Sequence, residues 1–157
     1  MSASVPLTDS QRQGLDRLNN FLAGGGGLLR VARIGGLGVG HVLVILKLDE
    51  WVEEHVLDDQ RDPAAVAEEL RGRRSALMTD LLVLHAHRRQ GIGRALVQDA
   101  IEVANAAGAA ELALFVAKDN LPARQLYREL NFAWIRDAGS QDLFAHPLGS
   151  ISTTRGA

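Results

Sequence analysis

The segment Arg88-Arg89-Gln90-Gly91-Ile92-Gly93 constrains this chain more than any other, because it joins the apolar run Leu81-Leu82-Val83-Leu84 to an amphipathic stretch over residues 94–107. A strand, a tight glycine turn and a helix start in that order bring several unpaired backbone N–H groups to one small concavity, at the positive end of a helix dipole. That concavity suits a pyrophosphate. Gly91 and Gly93 answer to an unusual backbone dihedral or to close approach of a ligand, while Arg88, Arg89 and Arg94 place cationic charge at the rim. The plain alternative is a tight turn with solvated arginines. Two other phosphate patterns fail on detail. A P-loop needs Lys-Ser/Thr after its second glycine, where this chain has Arg94-Ala95, and a dinucleotide fingerprint needs glycine or alanine where Leu96 stands. Glu111 opens its strand, whereas a ribose-binding carboxylate closes one.

The rest of the chain reads as alternating helices and strands. Thr8-Asp9-Ser10-Gln11 is a capping box, and Leu15, Leu18 and Leu22 follow at helical spacing, so a first helix is expected to about Leu22. Residues 28–34 and 39–47, rich in Val, Leu and Ile, flank Gly35-Gly36-Leu37-Gly38 and predict an antiparallel hairpin. Residues 49–62 are acidic and read as exposed. Asp62-Pro63 starts a short helix that Gly72 ends. Residues 75–85 read as a strand whose end, apolar on both faces, predicts burial inside a layered sheet. Leu96, Val97, Ala100, Ile101, Ala104 and Ala107 form one helical stripe closed by Gly108. Residues 111–117 alternate as a strand, Asn120 caps a helix with Pro122 in its first turn, and residues 132–136 and 141–146 predict a closing hairpin. These crossovers imply some parallel pairing in an α/β layered fold whose central sheet is mixed and mostly antiparallel. One domain is expected over residues 1–148, with a loose tail over 149–157.

Composition narrows the chemistry. The chain has no cysteine, which excludes disulfides, thiolate metal sites and a thiol nucleophile. A formal net charge of -2 argues against a nucleic-acid coat, and no apolar run approaches a membrane span. Residues 1–7 carry no basic region followed by an apolar segment, so the expected location is cytoplasmic.

Arg88, Gly91 and Gly93 match the Gln/Arg-x-x-Gly-x-Gly/Ala signature of the GNAT family, the acetyl-coenzyme A dependent N-acyltransferases. Asn120, Ala123, Leu126, Tyr127 and Phe132 match the family's Asn-x-x-Ala-x-x-Leu-Tyr-x-x-x-Gly-Phe pattern, with Asn131 where glycine is usual. The resemblance spans residues 80–136. It implies a GNAT-like fold in which the turn Arg88, Arg89, Gln90, Gly91, Ile92, Gly93 and Arg94 holds the pyrophosphate of acetyl-CoA as cosubstrate. It further implies that the thioester arm lies where the strand ending near His85 splays from residues 111–117, pairing with the edge at Val83 and His85. An amine then attacks the thioester directly, and an N–H near Val83 or Leu84 stabilises the oxyanion.

Tyr127 matches the tyrosine that protonates the departing thiolate; the alternative is a core tyrosine bonded to backbone. Asn120 matches a residue that contacts the pantetheine or merely caps its helix. Asp80, His85 and His87 are candidates to take the amine's proton, Asp80 being the one carried forward as catalytic. No metal site is expected. The implied activity is N-acetylation of a primary amine, the acceptor a small molecule, with protein lysine or an N-terminus as variants; a non-catalytic acyl-CoA-binding regulatory module is the rival class. Homodimers are common in the resembling family. Two departures stand out: residues 1–7 barely leave room for the family's opening strand, and residues 48–74 intervene before the motif strand. The acidic run in that insertion can steer a polycationic amine or simply be solvated.

Overall fold

A computed structural model of the chain describes residues 6, 8–48 and 61–149. Expectations for most of the acidic run, the tail beyond Gly149 and most of residues 1–7 lie outside the described residues. The element order is α1 (Asp9–Ala23), β1 (Gly27–Ile34), β2 (Leu37–Ile45), α2 (Pro63–Gly72), β3 (Ser75–Val83), α3 (Ile92–Ala106), β4 (Glu111–Ala117), α4 (Leu121–Glu129), β5 (Ala133–Ala138) and β6 (Gln141–Pro147). The strands form one six-stranded sheet in the order β1-β2-β3-β4-β6-β5. Among the described residues, only β3 and β4 pair in parallel; every other neighbour is antiparallel. The sheet is therefore mixed and mostly antiparallel.

Local chemistry explains the helix starts. Thr8 and Gln11 form the reciprocal capping box that begins α1. Asp62 accepts from the Ala65 N–H at 3.0 Å with Pro63 in the first turn of α2. The β1–β2 turn is tighter than the sequence predicts. Gly35 and Gly36 take φ of 58° and 81°, the two left-handed residues that match a two-residue hairpin to strand twist, and Leu37 is already in β2.

Apolar side chains divide the core by the face of the sheet. Val42, Val44 and Met78 pack with Leu96, Val97, Ala100 and Ala104 of α3 and with Tyr127 of α4. Leu43, Ile45 and Leu77 pack on the other face with Val66 and Leu70 of α2 and with Leu18, Phe21 and Leu22 of α1. Each buried Leu or Val contributes about 1.5–3 kcal/mol, so alternation along β2 fixes its register.

The motif strand departs from its sequence reading in two ways. It ends at Val83, and His85 and His87 lie in a short 3-10 turn. Its last residues are also not enclosed: Leu82 and Leu84 are 44% and 45% exposed, whereas residues 75–78 are buried. The cause is pairing. β4 meets β3 only at Ser75, Ala76 and Leu77, opposite Glu111, Leu112 and Ala113, so beyond Leu77 the apolar run has, among the described residues, a hydrogen-bonded neighbour on one side alone.

Candidate active site

The strand, turn and helix around residues 88–94 build a donor cluster from backbone. The turn runs through Arg89 at φ 64° and Gly91 at φ 82°, both left-handed, and Gly91 caps α3 without a side chain. The first intrahelical bond runs from the Ala95 N–H to the Gly91 carbonyl at 3.0 Å. Among the described residues, no acceptor takes the N–H groups of residues 89–94. These amides stand unspent at the positive end of a 15-residue helix.

The three rim arginines differ in use. Arg88 Nε donates to the Val83 carbonyl at 3.0 Å, which folds the turn back over the end of β3. Arg94 pairs with Glu129 of α4. A hydrogen bond from Gln125, together with Arg94, holds the Glu129 carboxyl below its ordinary range. Arg89 has no partner among the described residues and is exposed. The expected rim of three cations is thus one open cation and two structural ones.

The two glycines have separate causes. Gly91 needs its left-handed φ, and a Cβ there would meet nothing within 4 Å. Gly93 is helical, and its Cβ would make ordinary contact with Val83 Cγ2 at 3.8 Å and Leu126 Cδ2 at 4.0 Å. The fold itself does not demand Gly93. Those same neighbours show that α4 abuts the start of α3, a contact the Arg94–Glu129 pair reinforces.

Beside the turn, β3 carries a bulge. Thr79 lies opposite Leu43 and Leu82 opposite His41, so Asp80 and Leu81 together face Val42, and Asp80 sits at φ 54°. Such an insertion re-aims the strand beyond it. The Leu84 N–H donates to the Val39 carbonyl at 2.8 Å. It is therefore already spent, which corrects its expected oxyanion role. The same bond makes Val83 and Gly40 a non-hydrogen-bonded pair, turning Val83's own N–H and C=O away from β2 toward the side β4 leaves open. Arg88 covers the Val83 carbonyl, so the N–H is the available group. His85 has left the strand, so its expected place on the pairing edge is corrected: the edge stops at Val83.

The second motif lies on α4. Asn120 Oδ1 accepts from the Ala123 N–H at 3.3 Å, a helix cap on an exposed residue. Tyr127 is 7% exposed, its ring 5.6 Å from that of Phe132. Burial pushes its phenol up to about 12. The hydroxyl takes no hydrogen bond among the described residues. Backbone anchoring of that hydroxyl is thereby excluded among the described residues. Asn131 stands at φ 69°, with the Phe132 N–H reaching the Tyr127 carbonyl at 2.9 Å. This left-handed helix end explains why glycine is usual there and why asparagine substitutes.

Two residues were missed by sequence reasoning. A Cβ on Gly40 would stand 2.9 Å from the Leu82 carbonyl oxygen, 3.2 Å from Leu96 Cδ1 and 3.4 Å from Ile92 Cγ2. Its absence lets the first turn of α3 approach the sheet, and glycine inside a Val-rich strand was the signal. His41, its neighbour, has a sealed Nδ1 without a partner among the described residues; nothing in the sequence marked it. Glu111, discounted as a ribose ligand, holds Arg73 at 2.8 and 2.9 Å and Ser75 at 2.6 Å.

The Acetyltransferase (GNAT) family model matches residues 32–132, more than half of the chain. Among solved structures, the chain is similar to a PaiA N-acetyltransferase from Thermoplasma acidophilum in complex with coenzyme A, at 14% identity over 88% of this chain and 72% of that one, TM-score 0.64. A ribosomal-protein-alanine N-acetyltransferase from Brucella melitensis shows 21% identity over 91% and 81% of the two chains, TM-score 0.62. A GNAT-family acetyltransferase from Streptococcus pneumoniae shows 22% identity over 92% and 79%, TM-score 0.60. No curated protein matches the chain.

Proposed function

From the premise that the chain belongs to the GNAT acetyltransferase family, we propose that it transfers an acetyl group from acetyl-CoA to the primary amine of a small molecule by direct attack. Family membership carries acyl-CoA dependent N-acetyltransferase activity in general; acetyl as the acyl group and a small-molecule acceptor are the finer steps. The observation that carries the reading is the unspent run of amides at residues 89–94, beside a strand edge that β4 does not cover.

The residues fit the cosubstrate. The N–H groups of Ile92, Gly93 and Arg94, with the open Arg89 cation, suit a diphosphate because they bind it without ordering long side chains. The edge of β3 beyond Leu77, which β4 does not pair, suits the amides of an extended arm. Acetyl-CoA, when bound, supplies an activated acyl carbonyl. Transfer then forms an amide C–N bond as the thioester C–S bond breaks, with one proton leaving the amine and one reaching the sulfur. The Val83 N–H is the available donor for charge developing on the carbonyl oxygen. Tyr127, kept neutral by burial, is the proton source for the sulfur, worth roughly 10² to 10⁴ in rate. Asp80, at the bulge, is the candidate to take the amine's proton.

Two measurements test this. Coenzyme A at about 100 times its Kd contributes about 2.7 kcal/mol, which raises Tm by roughly 5–10 °C for a chain of this size. Acetyl-CoA with a panel of amines then releases free thiol. Thermal stabilisation with no thiol release from any amine would favour the regulatory module instead.

A further inference from the structure

On the sheet face opposite α3, the described residues line an open pocket of about 440 Å³: Leu18, Leu29, His41, Leu43, Asp80, Leu81 and Leu82. Five of these seven described residues are leucines, and Asp80 is the only charged group among them. The strand register explains its composition. Leu29, Leu43 and Thr79 lie directly across from one another, as do Val31, His41 and Leu82 one pleat further on, so these side chains share a face. Leu43 packs toward α1, whereas Val42 and Val44 pack toward α3. Three residues of that face stay open: Leu29 at 44%, Val31 at 42% and Leu82 at 44% exposed. Large apolar side chains left uncovered around one carboxylate form a specific recognition surface.

The pocket touches the reaction site through the bulge. Asp80, Leu81 and Leu82 lead directly into Val83, whose N–H faces the side β4 leaves open, while the free amides of α3 lie at the other face. An acceptor on the α1 side would thus approach the strand edge from the face opposite the diphosphate turn.

We infer that this pocket selects the acceptor, and that the acceptor is a monoamine with an apolar body, aryl or alkyl, whose ammonium meets Asp80. The inference rests on the N-acetyltransferase reading and narrows it. Charge complementarity supports one cation: among the described lining residues Asp80 is the one anion, and the further charges of a polyamine would lie against Leu18, Leu29, Leu43 and Leu82, where their desolvation is unfavourable. Volume supports a body of small-molecule size, since pockets of a few hundred Å³ enclose such ligands. The His41 ring, between Val31 and Leu82 in the register, is the second polar group among the described lining residues.

The test compares thiol release from acetyl-CoA with 2-phenylethylamine, n-hexylamine and spermidine as acceptors. The two apolar monoamines are expected to exceed spermidine in kcat/KM by about a hundredfold. Leu29→Asn, on β1 and outside the turn, is expected to raise KM for 2-phenylethylamine about tenfold with the KM for acetyl-CoA unchanged. Asp80→Asn, which keeps a residue tolerant of left-handed φ, raises KM for both monoamines. Spermidine used as well as 2-phenylethylamine overturns the inference, because that comparison needs no variant to fold. A normal coenzyme A thermal shift with spermidine preferred overturns the apolar acceptor alone. Loss of the coenzyme A shift in the wild-type protein overturns the acyltransferase reading and this inference with it.

Discussion

Replacing Gly40 by alanine is expected to weaken both the fold and coenzyme A binding, although the residue touches no proposed ligand. The new Cβ would stand 2.9 Å from the Leu82 carbonyl oxygen, a backbone atom that cannot rotate away, and 3.2 and 3.4 Å from Leu96 Cδ1 and Ile92 Cγ2. Restoring ordinary contact requires a displacement of about half an ångström between β2 and either β3 or the first turn of α3. Overpacking of this kind costs about 1–3 kcal/mol, against a typical domain stability of about 5–15 kcal/mol, so the variant stays folded. Because Ile92 opens α3 and offers one of the free amides, the displacement also moves the donor cluster relative to Val83. A fall of about tenfold in coenzyme A affinity follows from misplacement on that scale. Urea unfolding followed by circular dichroism gives the stability change, and calorimetric titration gives the affinity. Gly38→Ala is the control, since its Cβ would meet Val31 Cγ1 at 3.4 Å and Arg33 Nη1 at 3.9 Å, and it is expected to change stability by no more than about 0.5 kcal/mol. If Gly40→Ala matches that control in both measurements, the close approach does not set the position of the helix.

The two glycines of the turn separate by their causes. Gly91→Ala is expected to lose about 1–2 kcal/mol from its left-handed φ, whereas Gly93→Ala gains about 0.5–1 kcal/mol from helix propensity, both read by urea unfolding; equal effects would contradict the assignment. Tyr127→Phe is expected to lower turnover by roughly 10² or more while leaving coenzyme A affinity nearly unchanged, and an unaltered rate with chemistry limiting would remove its role as acid. Asp142 is buried; desolvation works to raise its pKa, but Arg124 at 2.7 Å, Trp134 and Lys118 outweigh it and hold the carboxyl below the usual range. A depressed carboxyl stabilises the fold above its unfolded pKa near 4 and loses that contribution as pH falls through the folded value. Unfolding measured from pH 7 to pH 2 should therefore decline more steeply below pH 4 in the wild type than in Asp142→Asn.

Sequence alone carried much of this fold because its strongest signals were local. The capping box at Thr8, Asp62-Pro63, the stripe from Leu96 to Ala104 and the cap at Asn120 each satisfy backbone groups within a few residues, and each formed where expected. What stayed hidden depended on distant partners. The exposure of Leu82 and Leu84 follows from where β4 stops pairing, which no periodicity in residues 75–85 encodes. Pairing of Arg94 with Glu129 requires α4 to meet α3, so Arg94 read as a free cation. Asp80 at φ 54° gave no sign of a bulge, because aspartate in an apolar strand reads equally as an edge residue. Gly40 was legible as a strand glycine but not as the seat of α3, and His41 was silent until its neighbours were known.

Backbone amides that receive the anion carry the proposed function, and a crystal structure of the protein grown with coenzyme A tests this most directly. Diphosphate oxygens at about 2.7–3.2 Å from the N–H groups of Ile92, Gly93 and Arg94 are predicted. A diphosphate bound elsewhere, with those amides facing only solvent, would contradict it.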